Sequence, residues 1–250
     1  MNAPSGRLHE RASWKPYDLG LIMPIYNEAQ SIEATVQRWH VALDGLGAQY
    51  RLYLLDDGST DGTGAILDRL AQLSRIELVH KSNTGHGPTI FAGYLMATNH
   101  CEWVFQCDGD DELGPEFLAT FWNHRHDHDL IIGCRKGRRQ SLLRKLFTVG
   151  AGTLVRCLFG SGIRDVNVPY RLMSGDILQR QLPCLGKSPV VPNILLSALS
   201  CRAGLRILEL PVHFHAVAGR TSSIGGSKAL PFAFRAFREI IRVSLGCPLS

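Results

Sequence analysis

The sequence predicts an α/β protein with a mostly parallel central sheet flanked by helices. Strand-length apolar runs alternate with helix-length stretches along the first half of the chain, which is the rhythm of β-α-β units. Segments rich in Asp and Gly follow several of these runs, where a parallel sheet carries its functional loops. With 250 residues and no obvious linker, the chain can bury one core in a single domain.

The first half supplies five strands and four helices. Ile32 and Trp39 recur at helical spacing, and Thr60 or Asp61 can cap the next helix, which we expect to reach Leu73. The predicted strands are 19–25, 51–55, 76–80, 102–107 and 129–134. The predicted helices begin near Glu28, Asp61, Pro88 and Pro115.

The rhythm changes after residue 134. A basic loop leads into a long amphipathic helix from about 141 to 159, and a last amphipathic helix from about 228 to 245 closes the chain. We divide the chain into a disordered tail, the α/β domain with the basic helix, and a flexible loop with the closing helix. These three parts are 1–17, 18–217 and 218–250.

Charge divides the chain into two unlike halves. Residues 1–134 hold 9 Lys and Arg against 18 acids, whereas residues 135–250 hold 18 against 4. An acidic half suits metal and nucleotide chemistry, and a basic half suits phosphates, anionic lipid or nucleic acid. The run 135–145 lacks aromatic stacking residues, so we expect no nucleic-acid partner.

The cysteines and the N-terminal residues indicate the cellular compartment of the protein. Seven scattered cysteines without a CxxC pair predict neither a disulfide framework nor a zinc site, which favours a reducing cytosol. Residues 1–17 lack the apolar centre of a secretion signal, and no run is apolar for the ~20 residues of a membrane span. We expect a cytoplasmic protein that meets a membrane, if at all, from its inner surface.

The acidic turn at 107–112 is the most informative segment. Asp108 and Asp110 follow an apolar strand, and a turn at Gly109 lets their oxygens converge. Mg²⁺ and Mn²⁺ prefer a few carboxylates together with waters and substrate phosphates. The sequence therefore predicts a divalent metal at Asp108 and Asp110. The alternative is a solvated turn that leads into the next helix.

A second acidic turn, at 56–63, also follows a strand. Asp56 or Asp57 can accept hydrogen bonds from a ribose hydroxyl or a base N–H, although a plain helix-capping turn explains the same residues. Because ligands bind beyond the carboxyl ends of parallel strands, we expect both turns and the segment 24–28 to meet at one crevice.

Four motifs together resemble family 2 glycosyltransferases of the GT-A fold. They are ProIleTyrAsnGlu at 24–28, AspAspGlySerThrAspGlyThr at 56–63, AsnThrGlyHisGly at 83–87 and AspGlyAspAspGlu at 108–112. The second half is similar to the polyprenyl-phosphate branch that includes dolichol-phosphate mannose synthase. It carries a basic amphipathic helix, AspValAsnValProTyrArg at 165–171 and ArgThrSerSer at 220–223. The branch usually has SerGlyPheArg where this chain has ValProTyrArg.

The resemblance implies roles for individual residues and inversion at the anomeric carbon. Asp108 and Asp110 would bridge ribose and metal-bound diphosphate, and Glu112 would add a third carboxylate or face water. Arg135 and Arg220 would stabilise the diphosphate or the acceptor phosphate. The nucleotide-binding set is Pro24, Tyr26, Glu28, Asp56, Asp57 and Asp108. The candidates for acceptor binding or a base are Asp111, Asp165, Arg171 and Ser222.

Three functions remain open at this point. The first is hexose transfer from a nucleotide diphosphate sugar to a polyprenyl phosphate at an anionic membrane surface, within cell-envelope glycan synthesis. The second is transfer to a sugar hydroxyl of a glycan or glycolipid, which needs a general base such as Asp111 or Asp165. The third is a silent protein that binds nucleotide sugars or a membrane. The amphipathic helices fit either lipid contact or packing on the core.

Overall fold

A computed structural model of the chain describes residues 15–136, 163–213 and 229–246, with isolated positions between 150 and 160. The tail 1–14, most of the helix predicted at 141–159 and the loop 214–228 lie outside the described residues. Of the helices that are described, none is both long and apolar enough to cross a membrane.

One seven-stranded sheet organises the described residues, in the order β3-β2-β1-β4-β6-β5-β7. All neighbouring strands are parallel except for β6, which runs antiparallel to both β4 and β5. The predicted α/β fold with a mostly parallel sheet is therefore confirmed. The strands are β1 (Tyr17–Ile25), β2 (Tyr50–Asp56), β3 (Ile76–His80), β4 (Cys101–Gln106), β5 (Leu130–Lys136), β6 (Arg171–Ser174) and β7 (Ile207–His213).

The helices of the first half follow the predicted alternation. A short 3₁₀ turn at Pro115–Phe117 precedes α4, because Pro115 suits a first helical position. Within the three described ranges, the helices are α1 (Ile32–Asp44), α2 (Thr63–Leu70), α3 (His86–Thr98), α4 (Leu118–Asn123), α5 (Gly175–Leu185), α6 (Pro192–Arg202) and α7 (Ala229–Gly246).

Aromatic rings join the sheet to α1 and α4. The ring of Phe105 on β4 lies 5.6 Å from Trp39 and 4.8 Å from Tyr170, and Phe121 lies 5.1 Å from Tyr170. Edge-to-face packing of this kind stabilises a core beyond the area that it buries. The helical stripe predicted for α1 is the face that meets this core, since Ile32 and Trp39 are fully buried.

Two expectations from the sequence are wrong. The second helix ends at Leu70, so Leu73 lies beyond it and is exposed. Cys184 at the end of α5 is disulfide-bonded, whereas we expected reduced cysteines throughout. Disulfide pairing depends on proximity in the fold, which scattered cysteine spacing does not reveal. The thiols of Cys101 and Cys107 are free and buried.

The position of Arg171 in the fold contradicts its predicted role in acceptor binding. It begins β6, is fully buried, and donates to the carbonyl oxygens of Val168 (3.1 Å), Asn193 (3.0 Å) and Val166 (3.1 Å). These bonds tie the segment before β6 to the start of α6. A buried guanidinium engaged in this way does not reach an acceptor.

Arg171→Ala should lower the free energy of unfolding by roughly 3 kcal/mol or more, because it leaves several buried carbonyl groups without donors. Urea denaturation followed by circular dichroism measures this. The control is Arg164→Ala, which removes a largely exposed side chain and should change stability by less than about 0.5 kcal/mol. Equal stability of the two variants would contradict the structural role.

Candidate active site

Backbone hydrogen bonds hold the predicted loops together at one edge of the sheet. The Asp57 N–H donates to Ile25 O (2.9 Å), and the Gly109 N–H donates to Pro24 O (3.2 Å). A Cβ at Gly109 would lie 2.8 Å from Ile25 Cγ1, so only glycine allows this approach. The loops after β1, β2 and β4 therefore meet beside the β1/β4 pair, where the strand order reverses and open α/β sheets bind ligands.

The loop after β1 is also fastened to the loop after β2. Asn27 adopts a left-handed backbone (φ 55°), donates from its N–H to Ser59 Oγ (2.9 Å) and accepts from the Thr60 N–H (2.8 Å). The Glu28 N–H donates to Thr63 Oγ1 (2.8 Å). Tyr26 projects from the same loop with 47% of its surface exposed. Its ring is accessible to a flat ligand such as a nucleobase.

Asp57 organises the neighbouring loop after β3. Its buried carboxylate accepts from the Lys81 ammonium, from the Thr84 N–H (2.9 Å) and from the Gly85 N–H (2.9 Å). Burial alone would raise the pKa of Asp57, but these donors outweigh it and hold the pKa below its usual range. The carboxylate thus fixes the entry to α3, and its contact with a nucleoside stays a prediction.

Asp56 is engaged by partners within the protein. It is buried at the end of β2, where it accepts from the Ser59 N–H (3.0 Å) and lies 2.8 Å from His80 Nδ1. The other nitrogen of His80 lies 3.2 Å from Asp68 on α2. Asp56 therefore ties its loop to β3 and α2, and its direct contact with a nucleoside stays a prediction.

The turn after β4 gathers like charges. Burial and the neighbouring carboxylates of Asp108 and Glu112 raise the pKa of Asp110 to about 7, although the Glu112 N–H donates to it (3.1 Å). Asp108 lies 3.0 Å from His86 Nε2 at the start of α3. Partial removal from water would lower the pKa of His86, but Asp108 and the acids around it raise it. The turn is thus a site of concentrated negative charge.

This turn fits a divalent cation. Carboxylates held close together gain when a cation neutralises them, and Asp and Glu oxygens are the ligands that Mg²⁺ and Mn²⁺ prefer. Within the described part of the chain, no group of three or more His, Cys, Asp or Glu side chains is arranged to hold a metal ion by itself. Mg²⁺ commonly binds one or two carboxylates together with substrate oxygens and water, and Asp108 and Asp110 would hold the ion in that way.

The remaining candidates occupy varied positions. Asp111 has a left-handed backbone (φ 58°) and pairs with Arg38 of α1, so a base role would require that ion pair to break. Asp165 lies half-buried in the segment before β6. Arg135 is in β5, and its side chain falls outside what the structure describes, as do Arg220 and Ser222 entirely.

The sequence did not identify Lys81 as a residue of this site, and it predicted no role for His86. Lys81 directly follows β3, the same strand-end position that drew attention to Asp57 and Asp108. That shared position could have identified it. His86 stands out only once α3 is known to start there, because its partner Asp108 is 22 residues away in sequence.

Residues 21–155, just over half of the chain, match the family described as Glycosyl transferase family 2. The chain belongs to this family. The predicted family and fold are confirmed, and the chain is a glycosyltransferase. The branch within the family is a separate question.

Solved structures of glucosyl-3-phosphoglycerate synthase from Mycobacterium tuberculosis have the same fold as this glycosyltransferase. One is a complex with Mn²⁺, uridine diphosphate and phosphoglyceric acid; it is 16% identical with a TM-score of 0.69, over 93% of this chain and 80% of that one. Another holds Mn²⁺, uridine-diphosphate-glucose and glycerol 3-phosphate; it is 15% identical with a TM-score of 0.66, over 96% and 88%. At this identity the likeness shows the fold alone.

Asp110→Asn should stabilise the metal-free protein above pH 7. Because the pKa of Asp110 rises from 3.8 unfolded to about 7 folded, the folded state binds more protons, and stability falls as pH increases through that window. The ionised carboxylate of Asp110 destabilises the folded state above pH 7, and a neutral amide at this position removes that destabilisation, which is on the order of 2–4 kcal/mol. Thermal unfolding in EDTA at pH 5 and pH 8 measures it.

Asp127→Asn, at an exposed carboxylate between α4 and β5, is the control and should leave the difference in stability between pH 5 and pH 8 as in the wild type. An Asp110→Asn protein that is less stable than the wild type at pH 8 would contradict the charge clustering described above.

Proposed function

We propose that this glycosyltransferase moves a hexose from a nucleotide diphosphate sugar to the phosphate of a polyprenyl lipid, at the inner, anionic face of the cell membrane. The observation that carries the donor half is the convergence of the loops after β1, β2, β3 and β4 on one acidic turn at the β1/β4 edge. The acceptor half is supported by the resemblance of the second half of the chain and by the surface of α7.

The donor would lie across these four loops. Exposed Tyr26 would stack on the base, and the Glu28 and Asp57 loops would bind the nucleoside. Uridine is the first nucleoside to try, because the similar solved structures contain uridine diphosphate or its glucose conjugate with Mn²⁺. Asp108 and Asp110 would hold Mg²⁺ or Mn²⁺, which neutralises charge on a departing diphosphate.

The chain's own side chains would keep this arrangement in place. His86 fixes the orientation of Asp108, since the two side chains are within hydrogen-bond distance. Lys81 holds Asp57 and also donates to Thr84 Oγ1 (2.6 Å), so that the loop after β3 keeps its shape. Preorganised groups of this kind need no rearrangement when negative charge develops on the leaving group.

A phosphate acceptor fits the site better than a hydroxyl. A phosphate oxygen is already ionised at neutral pH and can attack the anomeric carbon while the nucleotide diphosphate leaves with the bonding electrons. A hydroxyl acceptor would need a base. Of the two candidate bases, Asp111 is held by Arg38 and Asp165 lies half-buried in the segment before β6. The similar solved structures also contain phosphorylated molecules, phosphoglyceric acid and glycerol 3-phosphate. These molecules share a phosphate group with the proposed acceptor, and each also carries a hydroxyl group.

The membrane part of the proposal is supported by α7. Its inner face is buried at Ala236, Ile240 and Val243, whereas Phe234 and Phe237 on the outside are 62% and 50% exposed. Leu245 continues this outer stripe with 83% of its surface exposed, and the side chains of Arg235, Arg238 and Arg242 flank it. An apolar stripe bordered by arginines suits the headgroup region of an anionic bilayer.

Asp110→Asn should lower turnover at least 100-fold while the protein stays folded, because it removes a ligand charge for the metal. The assay combines nucleotide hexoses and Mn²⁺ with polyprenyl phosphate, 3-phosphoglycerate or an unphosphorylated sugar, and identifies products by mass. Asp127→Asn is the control and should keep wild-type rates.

A hexosyl polyprenyl phosphate product would support the proposal. A product on 3-phosphoglycerate alone would overturn the lipid acceptor, and a product that keeps a free phosphate group would show transfer to the hydroxyl and overturn the phosphate acceptor as well. A product on the unphosphorylated sugar would favour the hydroxyl-transfer function. Full activity of Asp110→Asn would contradict the assignment of Asp110 as a metal ligand.

Arg235→Gln combined with Arg238→Gln should weaken binding to vesicles of anionic lipid by about tenfold or more, because each arginine near such a surface contributes about 1 kcal/mol. Vesicle co-sedimentation at fixed salt measures this. Val41→Ser, which alters an exposed apolar side chain on α1, is the control. Unchanged binding of the double variant would place any membrane contact elsewhere.

A further inference from the structure

The inner face of α7 carries one acidic side chain that binds main chain instead of solvent. Both carboxylate oxygens of Glu239 lie within reach of the Val190 N–H (3.0 and 2.9 Å), and one also accepts from the Val191 N–H (3.4 Å). Val191 is the N-cap of α6 and has no side chain that can cap. Glu239 therefore supplies, from a different helix, the negative group that a helix N-terminus favours.

The segment from Pro189 to Asn193, which Glu239 holds, is in direct contact with the start of α3. A Cβ at Gly87 would lie 2.5 Å from Val190 O and 2.6 Å from Pro189 O, so the two backbones are in direct contact. The residue before Gly87 is His86, whose ring lies 3.0 Å from Asp108. A shift of the held segment would thus displace the histidine that contacts the acidic turn.

The same segment reaches the acidic turn by a second route. Asn193, in the first turn of α6, accepts from the Tyr94 hydroxyl (3.1 Å), and that hydroxyl also lies 2.6 Å from Gln106 Oε1. All three side chains are buried. Gln106 is the last residue of β4 and precedes Asp108 by two positions. Both routes from Glu239 therefore end beside Asp108.

We propose that Glu239 is a positioning residue for the donor site. It fixes the segment from Pro189 to Asn193, and that segment sets where His86 and Asp108 stand. This rests on the proposed function, because the donor site at Asp108 is what Glu239 positions. The outer face of α7 is the proposed membrane surface, so a single helix joins that surface to the donor site.

Glu239→Ala should shift the ring resonances of His86 in NMR spectra of histidine-labelled protein. It should also weaken binding of Mn²⁺–uridine diphosphate, measured by calorimetry, and lower kcat by about tenfold. Glu239→Gln keeps the shape and one acceptor oxygen, so it should change each quantity in the same direction by about a third as much. A His86→Ala spectrum assigns the resonance.

Asp129→Asn is the matched control. Asp129 also accepts a backbone N–H from a distant segment, that of Arg206 (2.9 Å), but it does so at the start of β5, at the opposite edge of the sheet. Its loss should lower the unfolding temperature and leave the His86 resonance, nucleotide binding and kcat within twofold of the wild type.

A fall in unfolding temperature without a change at His86 would make Glu239 merely structural and overturn the proposal. If Glu239→Ala does not fold, Glu239→Gln decides: a His86 shift larger than that of Asp129→Asn supports the proposal, and none overturns it. If the wild type binds no nucleotide, the proposed function fails, while the His86 spectrum still tests the positioning role.

Discussion

Mutual repulsion among the carboxylates of Asp108, Asp110 and Glu112 is the constraint on which the site depends. A turn that holds these groups partly away from water is unfavourable by itself, as the raised pKa of Asp110 indicates. The surrounding fold keeps it nonetheless, through the Gly109 contact with β1 and the His86 contact with Asp108. A turn held against its own repulsion is prepared for a cation, and the donor half of the proposed function follows from that.

Much of this arrangement could be predicted from the sequence, because it follows from local patterns. Apolar periodicity located β1 to β5 closely, and the strand-end rule brought the loops of Glu28, Asp57 and Asp108 to one edge. What could not be predicted depends on partners distant in sequence. The buried role of Asp56 needs His80 on the next strand, and the role of Arg171 needs carbonyls on α6. Strand β6 has only four residues, which is too short for its pattern of apolar residues to predict a strand or its antiparallel direction.

The closing helix illustrates a choice that periodicity alone leaves open. Its sequence has two apolar stripes, and either could face the core. The structure buries the narrower one, at Ala236, Ile240 and Val243, while Phe234 and Phe237 stay outside. Glu239 explains part of this choice, because its carboxylate must face inward to meet the backbone of Val190 and Val191. A polar side chain with a buried partner thus orients the helix, and the larger apolar side chains are left at the surface.

The uneven charge of the chain follows the architecture of the sheet. The acidic first 134 residues supply β1 to β4 and most of β5, whereas the basic remainder supplies β6 and β7. Antiparallel β6 joins the two parts by pairing with β4 on one side and β5 on the other. Under the proposed function the acidic part requires a cation and the basic part attracts anionic phosphate. Antiparallel β6 pairs with the strand that ends two residues before Asp108, and the start of α6 reaches the end of that strand through Tyr94. The attachment of the basic part therefore also bears on the geometry of the acidic one.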